Sequence, residues 1–149
     1  VTWAGSLWVL LPLAVLVAWR VSRQEGWQPA SFVPAALLAA TALAYLTKLA
    51  VLRPRPELFP PLVGMPTDAS FPSAHAMQVS ALVLALLLRP GARPGIAAWV
   101  AGMGLIGVVA ASRVYLQLHF PSDVLAGIAV AVLLVVALRS LPFWRGVRP

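Results

Sequence analysis

The stretch at residues 95–112, GIAAWVAGMGLIGVVAAS, decides the fold because it contains no charged side chain. A helix needs about 20 mainly apolar residues to cross the hydrocarbon core of a bilayer, within a range of about 17–25. This stretch is apolar on every side, whereas the surface helix of a soluble protein carries a polar face. It therefore predicts a membrane-spanning α-helix.

Four further apolar runs lie on either side of this stretch. They occupy residues 3–19, 32–52, 71–88 and 124–138, and the second is interrupted by Lys48. No run alternates between apolar and polar residues, so a transmembrane β-barrel is not expected. The connections are short and rich in proline, and none resembles a linker between domains. We therefore expect a single all-α domain over residues 1–149, a polytopic transmembrane helix bundle with five spanning helices.

The composition supports a membrane protein. Hydrophobic residues make up 61% of the chain and charged residues only 10%, whereas about 25% of an ordinary soluble domain is charged. The formal net charge of +7 is compatible with a nucleic-acid partner. The basic residues lie at the ends of the apolar runs, however, and this favours membrane topology over nucleic-acid binding. The chain has no cysteine, which excludes disulfides and thiolate chemistry.

The distribution of basic residues predicts the orientation in the membrane. If the five runs alternate across the bilayer, one side receives Arg20, Arg23, Arg89, Arg93, Arg139, Arg145 and Arg148. The other side receives Lys48, Arg53, Arg55 and Arg113. The positive-inside rule then assigns the first side to the cytoplasm and leaves the N-terminus outside. A further helix before residue 1 would give an even number of spans, as expected if the first helix of the bundle is missing.

Three polar clusters interrupt the apolar pattern, and all three are expected on the outer side. The first is KLAVLRPRP at residues 48–56, the second is FPSAH at 71–75, and the third is SRVYLQLHFPSD at 112–123. Ionisable residues at membrane depth are costly and mark functional sites by default. The helix ends bring cations, imidazoles, a carboxylate and a helix N-terminus to one level. Such a site binds an anion beside acid–base groups, and phosphate is its natural anion.

Each residue also has an ordinary structural explanation when it is taken alone. Lys48 near a helix end can extend its ammonium group to the interface. Ser73 can be a plain N-cap, and Asp123 can stabilise the N-terminal turn of the last helix. Arg113 can bind lipid headgroups. Only the combination of the three clusters favours a functional site over these explanations.

The clusters resemble the three-part signature of the type-2 phosphatidic acid phosphatase family, which also includes vanadium haloperoxidases. The family pattern begins with lysine, six residues and Arg-Pro, continues with Pro-Ser-Gly-His, and ends with Ser-Arg, five residues, His, three residues and Asp. Residues 48–56, 72–75 and 112–123 fit the three parts in order. The one departure is Ala74 in place of glycine, which still supplies the backbone N–H that the family uses.

The resemblance implies a role for each matching residue. His119 would attack phosphorus and form a phosphohistidine, Asp123 would hold the other imidazole nitrogen, and His75 would protonate the leaving alkoxide and then activate water. The phosphate oxygens would be bound by the side chains of Lys48, Arg55, Ser73 and Arg113 and by the N–H of Ala74. Neither a metal nor a cofactor is implied, because fixed cations do the work of magnesium.

The resemblance further implies hydrolysis of a membrane-lipid phosphate at the extracytoplasmic face of the plasma membrane. Candidate substrates are polyprenyl diphosphate, phosphatidic acid, phosphatidylglycerophosphate and lipid A phosphates, among which the sequence does not choose. Three alternatives stay open: lipid phosphotransfer on the same site, a transporter whose pathway is lined by buried charges, and a catalytically inactive scaffold. The loop at residues 57–70 is expected to be either an interfacial lid or a plain connector. The oligomeric state is not predicted.

Overall fold

The computed structural model describes residues 5–57 and 63–145, and all regular structure within these ranges is helical. In chain order the helices are α1 (Leu7–Glu25), α2 (Trp27–Ala30), α3 (Phe32–Val51), α4 (Ala74–Leu88), α5 (Ile96–Tyr115), α6 (Pro121–Ser140) and α7 (Pro142–Arg145). Four segments are long and apolar enough to cross a membrane, namely α1, α2 with α3, α5 and α6. With the shorter apolar helix α4 they form the predicted all-α transmembrane bundle.

The connection between the first two apolar runs, residues 20–31, is largely helical, although the sequence suggested no helix there. Helix α1 continues to Glu25, and the short helix α2 follows at once. Arginine, glutamine and glutamate have good helix propensity, so leaving the apolar core does not end the helix. It ends at Gly26, whose φ of 88° lies in the region that favours glycine. The predicted start of this run at residue 3 lies outside the described residues.

Helix α4 is the second departure, because it begins at Ala74 and not at residue 71. Its 15 residues give a length of about 22 Å, which is less than the hydrocarbon thickness of about 30 Å. Phe71, Pro72 and Ser73 approach it as a non-helical segment. Most of its side chains are buried against the surrounding helices. Because α4 is short and central, it can begin at a depth in the bundle where water is scarce. His75, in the first turn of α4, then lies at the same depth.

The outer helices expose apolar side chains and bury small ones. Leu49 of α3, Val100 of α5 and Leu133 of α6 are 72%, 66% and 70% exposed, while Ala40 and Ala131 are fully buried. A continuous apolar surface of this kind is unstable in water and is suited to lipid chains. Small buried residues let helix backbones approach closely in a membrane.

The alternating helix directions give the bundle two chemically different ends. The site end carries Lys48 in the last turn of α3, His75 in the first turn of α4 and Arg113 in the last turn of α5. The arginine end carries Glu25 and Arg89, which form a salt bridge of 2.6 Å. The three polar clusters of the sequence therefore lie at one end of the bundle, as predicted.

Candidate active site

A cavity of about 480 Å³ opens at the site end. It is lined by Tyr45, Lys48, Arg55, Val63, Gly64, Pro66, Asp68, Ala74, His75, Arg113, Leu118 and His119. Most of the residues predicted for the site are in this lining. The other two, Ser73 and Asp123, are fully buried beside it. The structure therefore brings the predicted site residues together.

His119 precedes α6 and is held in one tautomer. Its side chain is 5% exposed, and Nδ1 lies 2.7 Å from the carbonyl oxygen of Ser70. A carbonyl oxygen only accepts, so Nδ1 carries the proton and Nε2 keeps its lone pair. Nη1 of Arg55 lies 3.5 Å from Nε2. Burial, followed by the charges of Arg55 and Lys48, lowers the pKa of His119 to about 4, so the ring is neutral at pH 7.

Asp123 does not hold the imidazole directly, contrary to the sequence-based expectation. Its Oδ2 lies 3.7 Å from Nδ1 of His119, which is beyond hydrogen-bonding distance. This oxygen accepts hydrogen bonds from the hydroxyl of Ser70 and from the N–H of Phe120, the latter at 3.0 Å. Asp123 therefore caps α6 and also fixes Ser70, whose carbonyl holds the imidazole. The capping explanation for Asp123 is confirmed, and its catalytic role stays a prediction.

Arg53 also contacts residues beside the cavity, and the sequence had suggested no such role for it. Its Nη1 lies 2.7 Å from Oδ1 of Asp123 and donates to the hydroxyl of Ser122 at 2.9 Å. Its guanidinium also stacks 4.2 Å from the ring centroid of Phe120. These contacts tie the segment after α3 to the first turn of α6, on which the position of His119 depends. Only its place two residues before Arg55 could have suggested this role.

Three cations converge on the cavity and are almost completely withdrawn from solvent. Lys48 is 4% exposed, Arg113 is 1% exposed, and the side chain of Arg55 is 8% exposed. Arg113 donates from Nε and Nη2 to the hydroxyl of Ser112, at 3.2 Å each. No carboxylate in the described ranges forms a salt bridge with Arg113. A buried cation without a counter-charge is costly, and it attracts an anion to the cavity.

The start of α4 offers further donors. The hydroxyl of Ser73 is buried and has no hydrogen-bond partner among the residues described, so it does not cap the helix. The first backbone hydrogen bond of this turn is donated by the N–H of Met77 to the carbonyl of Ser73, at 2.9 Å. The amides of Ala74 and His75 therefore precede the hydrogen-bonded ladder and can donate to an anion.

His75 lies on the same cavity, next to the beginning of α1. A Cβ added to Gly5 would lie 3.1 Å from Cδ2 of His75 and 3.0 Å from a methyl group of Val109. Gly5, two residues before α1, thus packs beside His75 and closes one side of the site. His75 reaches the cavity from the first turn of α4, and His119 reaches it from the segment between α5 and α6.

Asp68 is the remaining site residue that the motif analysis missed. Its carboxylate bridges Lys48 and Arg55, with Oδ2 lying 3.1 Å from Nζ and Oδ1 lying 2.5 Å from Nη2. Burial on its own would raise the pKa of Asp68, but the hydrogen bonds from Arg55 and Lys48 outweigh it and hold the pKa below its usual value. Within residues 5–57 and 63–145, no group of three or more histidines and acidic residues is arranged to hold a metal ion.

The sequence of residues 30–146 matches the PAP2 superfamily. The chain belongs to this superfamily. It is 36% identical over 125 residues to decaprenylphosphoryl-5-phosphoribose phosphatase of Mycobacterium tuberculosis, an alignment that covers 82% of this chain and 64% of that protein. It is 35% identical over 127 residues to undecaprenyl-diphosphatase of Sulfolobus acidocaldarius, covering 83% and 58%. The chain thus spans less than two thirds of the length of these relatives.

A solved structure supports the same assignment. The transmembrane PAP2-type phosphatidylglycerolphosphate phosphatase of Bacillus subtilis superposes with a TM-score of 0.81 and 26% sequence identity. The alignment covers 93% of this chain and 71% of that one. Together with the apolar outer surface of its helices, this likeness identifies the PAP2 chain as a multi-pass membrane protein.

Proposed function

We propose that this protein hydrolyses a phosphomonoester or diphosphate on a membrane lipid through a phosphohistidine intermediate on His119. The observation that carries the proposal is the state of His119. Its protonated Nδ1 is bound to Ser70, and its free Nε2 is directed towards Arg55 in a cation-lined cavity. A neutral imidazole with a fixed lone pair is a nucleophile, and the surrounding cations attract the phosphate that it attacks.

In the first step Nε2 of His119 forms a bond to phosphorus, and the bond from phosphorus to the leaving oxygen breaks. The negative charge of the bound phosphate favours the protonated form of His75, which gives its proton to the leaving oxygen. The lipid therefore departs as an alcohol, or as a lipid monophosphate if the substrate is a diphosphate. Lys48, Arg55, Arg113, the Ser73 hydroxyl and the Ala74 amide bind the non-bridging oxygens. They stabilise the charge that these oxygens carry in the transition state.

In the second step water replaces the imidazole. His75, now neutral, accepts a proton from the water as its oxygen attacks phosphorus, and the bond from Nε2 to phosphorus breaks. Inorganic phosphate is released, and both histidines return to their starting states. An alcohol in place of water would yield a phosphotransferase, which is the alternative on the same site. Neither step uses a metal ion.

We further propose that the substrate is a polyprenyl-linked phosphate. Two of the relatives carry names for phosphatases of decaprenylphosphoryl and undecaprenyl compounds, and the site end opens among exposed apolar helices that lipid chains can cover. The positive-inside rule supports an active site on the extracytoplasmic face of the plasma membrane. Among the described residues the arginine end carries Arg20, Arg23, Arg89, Arg93, Arg139 and Arg145.

The function is tested by measuring phosphate release from a lipid panel by the purified full chain, in the presence of a chelator. The panel contains polyprenyl monophosphate and diphosphate, phosphatidic acid, phosphatidylglycerophosphate and lipid A. We expect turnover of at least one polyprenyl compound, inhibition by vanadate, and loss of turnover in His119→Ala. Activity that a chelator abolishes and magnesium restores would overturn the proposed mechanism. Faster turnover of the other lipids would overturn the proposed substrate.

The membrane face is tested with the variants Thr67→Cys and Ala92→Cys. The chain has no cysteine of its own, so each variant presents a single thiol. An impermeant maleimide added to intact cells should label Thr67→Cys and not Ala92→Cys. The opposite pattern would show that the site faces the cytoplasm.

A further inference from the structure

We propose that the carboxylate of Asp68 is a resident counter-ion that alternates with the substrate phosphate on Lys48 and Arg55. Its two oxygens each pair with one of these cations, at 3.1 Å and 2.5 Å. Two oxygens of a bound phosphate would bridge the same two cations in the same way. The inference rests on the proposed function only in taking phosphate as the anion.

The need for such a counter-ion follows from burial. The side chains of Lys48 and Arg55 are 5% and 8% exposed, so without an anion both charges would be poorly solvated. Removing one partner from a buried pair leaves an uncompensated charge, and this is strongly destabilising. In the absence of substrate, Asp68 is the described carboxylate that meets both cations. It therefore stabilises the empty site.

Asp68 is also the partner that can leave at least cost. Its side chain is 42% exposed and belongs to the segment between α3 and α4, so it can rotate into water without losing much solvation. The backbone of this segment is attached independently. Nε of Arg55 donates to the carbonyl of Asp68 at 2.9 Å, and Lys48 donates to the carbonyl of Ala69. The loop can keep its position while the carboxylate moves.

The exchange of Asp68 with phosphate affects both the binding of substrate and the release of product. Every anion that binds the two cations must first displace Asp68, which weakens the binding of substrate and of product phosphate alike. After hydrolysis the returning carboxylate competes with phosphate for the same cations and favours its release. Asp68 touches no reacting atom in this scheme, and it acts by setting the affinity of the site for phosphate.

The test compares wild type with Asp68→Asn and with the matched control Glu57→Gln. Glu57 is an exposed residue of the same loop, and its change removes the same charge. Inorganic phosphate and vanadate are the probes, and binding is measured by the rise in thermal unfolding temperature and by inhibition constants. We expect Asp68→Asn to bind both anions about two- to fivefold more tightly, because no carboxylate competes with them. KM should fall with the inhibition constants, and Glu57→Gln should match wild type.

The thermal stability of Asp68→Asn should also depend on bound phosphate. Without phosphate, Asp68→Asn should unfold at a lower temperature than wild type, and saturating phosphate should abolish most of the difference. Unchanged or weaker anion binding in Asp68→Asn would overturn the proposal. So would instability that persists in saturating phosphate, because Asp68 would then be a purely structural partner. If the wild type neither binds phosphate nor turns over lipid, the proposed function and this inference both fail.

Discussion

Both ends of the bundle carry arginine side chains, but the surroundings of these side chains differ. At the arginine end the side chain of Arg89 is 19% exposed and pairs with Glu25, which is 31% exposed, while Arg93 is exposed. At the site end Arg113 is 1% exposed and has no salt bridge within the described ranges. A charge near a helix end is thus common to both, and the two ends differ in how far the charge is buried and in whether a carboxylate pairs with it.

This difference shows which charged side chains are unfavourable for the stability of the fold. An exposed pair contributes about 0–1 kcal/mol to stability, and it can be lost with little consequence. A buried cation without a partner is unfavourable for the fold, so its presence is explained by what it binds. The site end should therefore lose activity when its charges are removed, and the arginine end should lose neither activity nor much stability.

The largest contrast is expected between Arg113→Met and Arg93→Met. Methionine keeps much of the side-chain volume of arginine and removes its charge and donors. The Arg113 variant should lose about 10²–10³-fold in kcat/KM, as for one donor to a developing oxyanion. Its thermal stability should be unchanged or higher, because a buried charge is gone. Kinetics and thermal unfolding of both variants check this, and an Arg113→Met that unfolds would show that the charge is structural.

A smaller loss is expected for Asp123→Asn. In the serine-protease triad the equivalent change costs about 10⁴-fold because the histidine adopts the wrong tautomer. Here the carbonyl of Ser70 fixes the tautomer of His119, and Asp123 acts through its contacts with Ser70, Arg53 and the N–H of Phe120. The loss in kcat should therefore be about 10–100-fold, as for other groups that orient a reacting residue. A loss of 10⁴-fold would indicate direct contact between Asp123 and His119 during the reaction.

The burial of the site end also predicts an unusual pH dependence for His119. In a His75→Asn background His119 is the sole histidine, so its reaction with diethyl pyrocarbonate can be followed alone. The reagent modifies the neutral ring, which persists down to the lowered pKa of about 4. The modification rate should therefore not fall as pH decreases through 6.5, the ordinary value for histidine. A midpoint near 6.5 would contradict the electrostatic account of the site.

The depressed pKa has a consequence for stability with a definite sign. The unfolded chain protonates near pH 6.5, whereas folded His119 protonates near pH 4. Between these values the unfolded state binds more protons, so His119 makes the fold less stable as pH falls through this window. His119→Gln should weaken this pH dependence of thermal unfolding, which would be unaffected if the folded pKa were ordinary.

The smallest expected effect concerns the contact between α4 and α6. A Cβ at Gly127 would lie 2.9 Å from the carbonyl oxygen of Ser73, whereas Gly104 on α5 faces open space. Gly127→Ala should cost about 1–3 kcal/mol of stability, as overpacking does. It should also reduce activity, because the displaced backbone carries the Ser73 hydroxyl. Gly104→Ala is the control, and it should match wild type in turnover and equal or slightly exceed it in thermal stability, because alanine has the higher helix propensity.

The sequence predicted the helical class and the gathering of the motif residues because both follow from local information. Apolar runs define helices, and alternation of direction brings the three clusters to one end. The apolar run that begins at residue 71 did not mark the start of α4 at Ala74, because hydrophobicity alone says nothing about where a helix begins; only the interpretation of Ser73 as an N-cap placed it there. The helical continuation of α1 to Glu25 was missed because charged side chains ended the apolar run without ending the helix.

The sequence predicted those site residues whose spacing the motifs fix. It did not predict the residues whose position depends on tertiary contacts. The partners of His119 are an example, since the expected carboxylate is replaced by the carbonyl of Ser70. Arg53 and Asp68 belong to the segment between α3 and α4, and its path is set by contacts with α6 and with the cations. The scarcity of acidic residues was the one signal for Asp68. The loop at 57–70 was expected to be either an interfacial lid or a plain connector, and its residues 58–62 lie outside the described residues.

The central claim is that His119 is the residue that becomes phosphorylated. Its most direct test is single-turnover trapping of acid-labile phosphohistidine in wild type, His119→Ala and His75→Ala, with a lipid phosphate and with an aryl phosphate. His119→Ala should give no label. His75→Ala should be labelled, with a loss of rate of about 10²–10⁴-fold on the lipid and less on the aryl substrate, whose leaving group needs little protonation. Label on His75, or normal labelling of His119→Ala, would contradict the account.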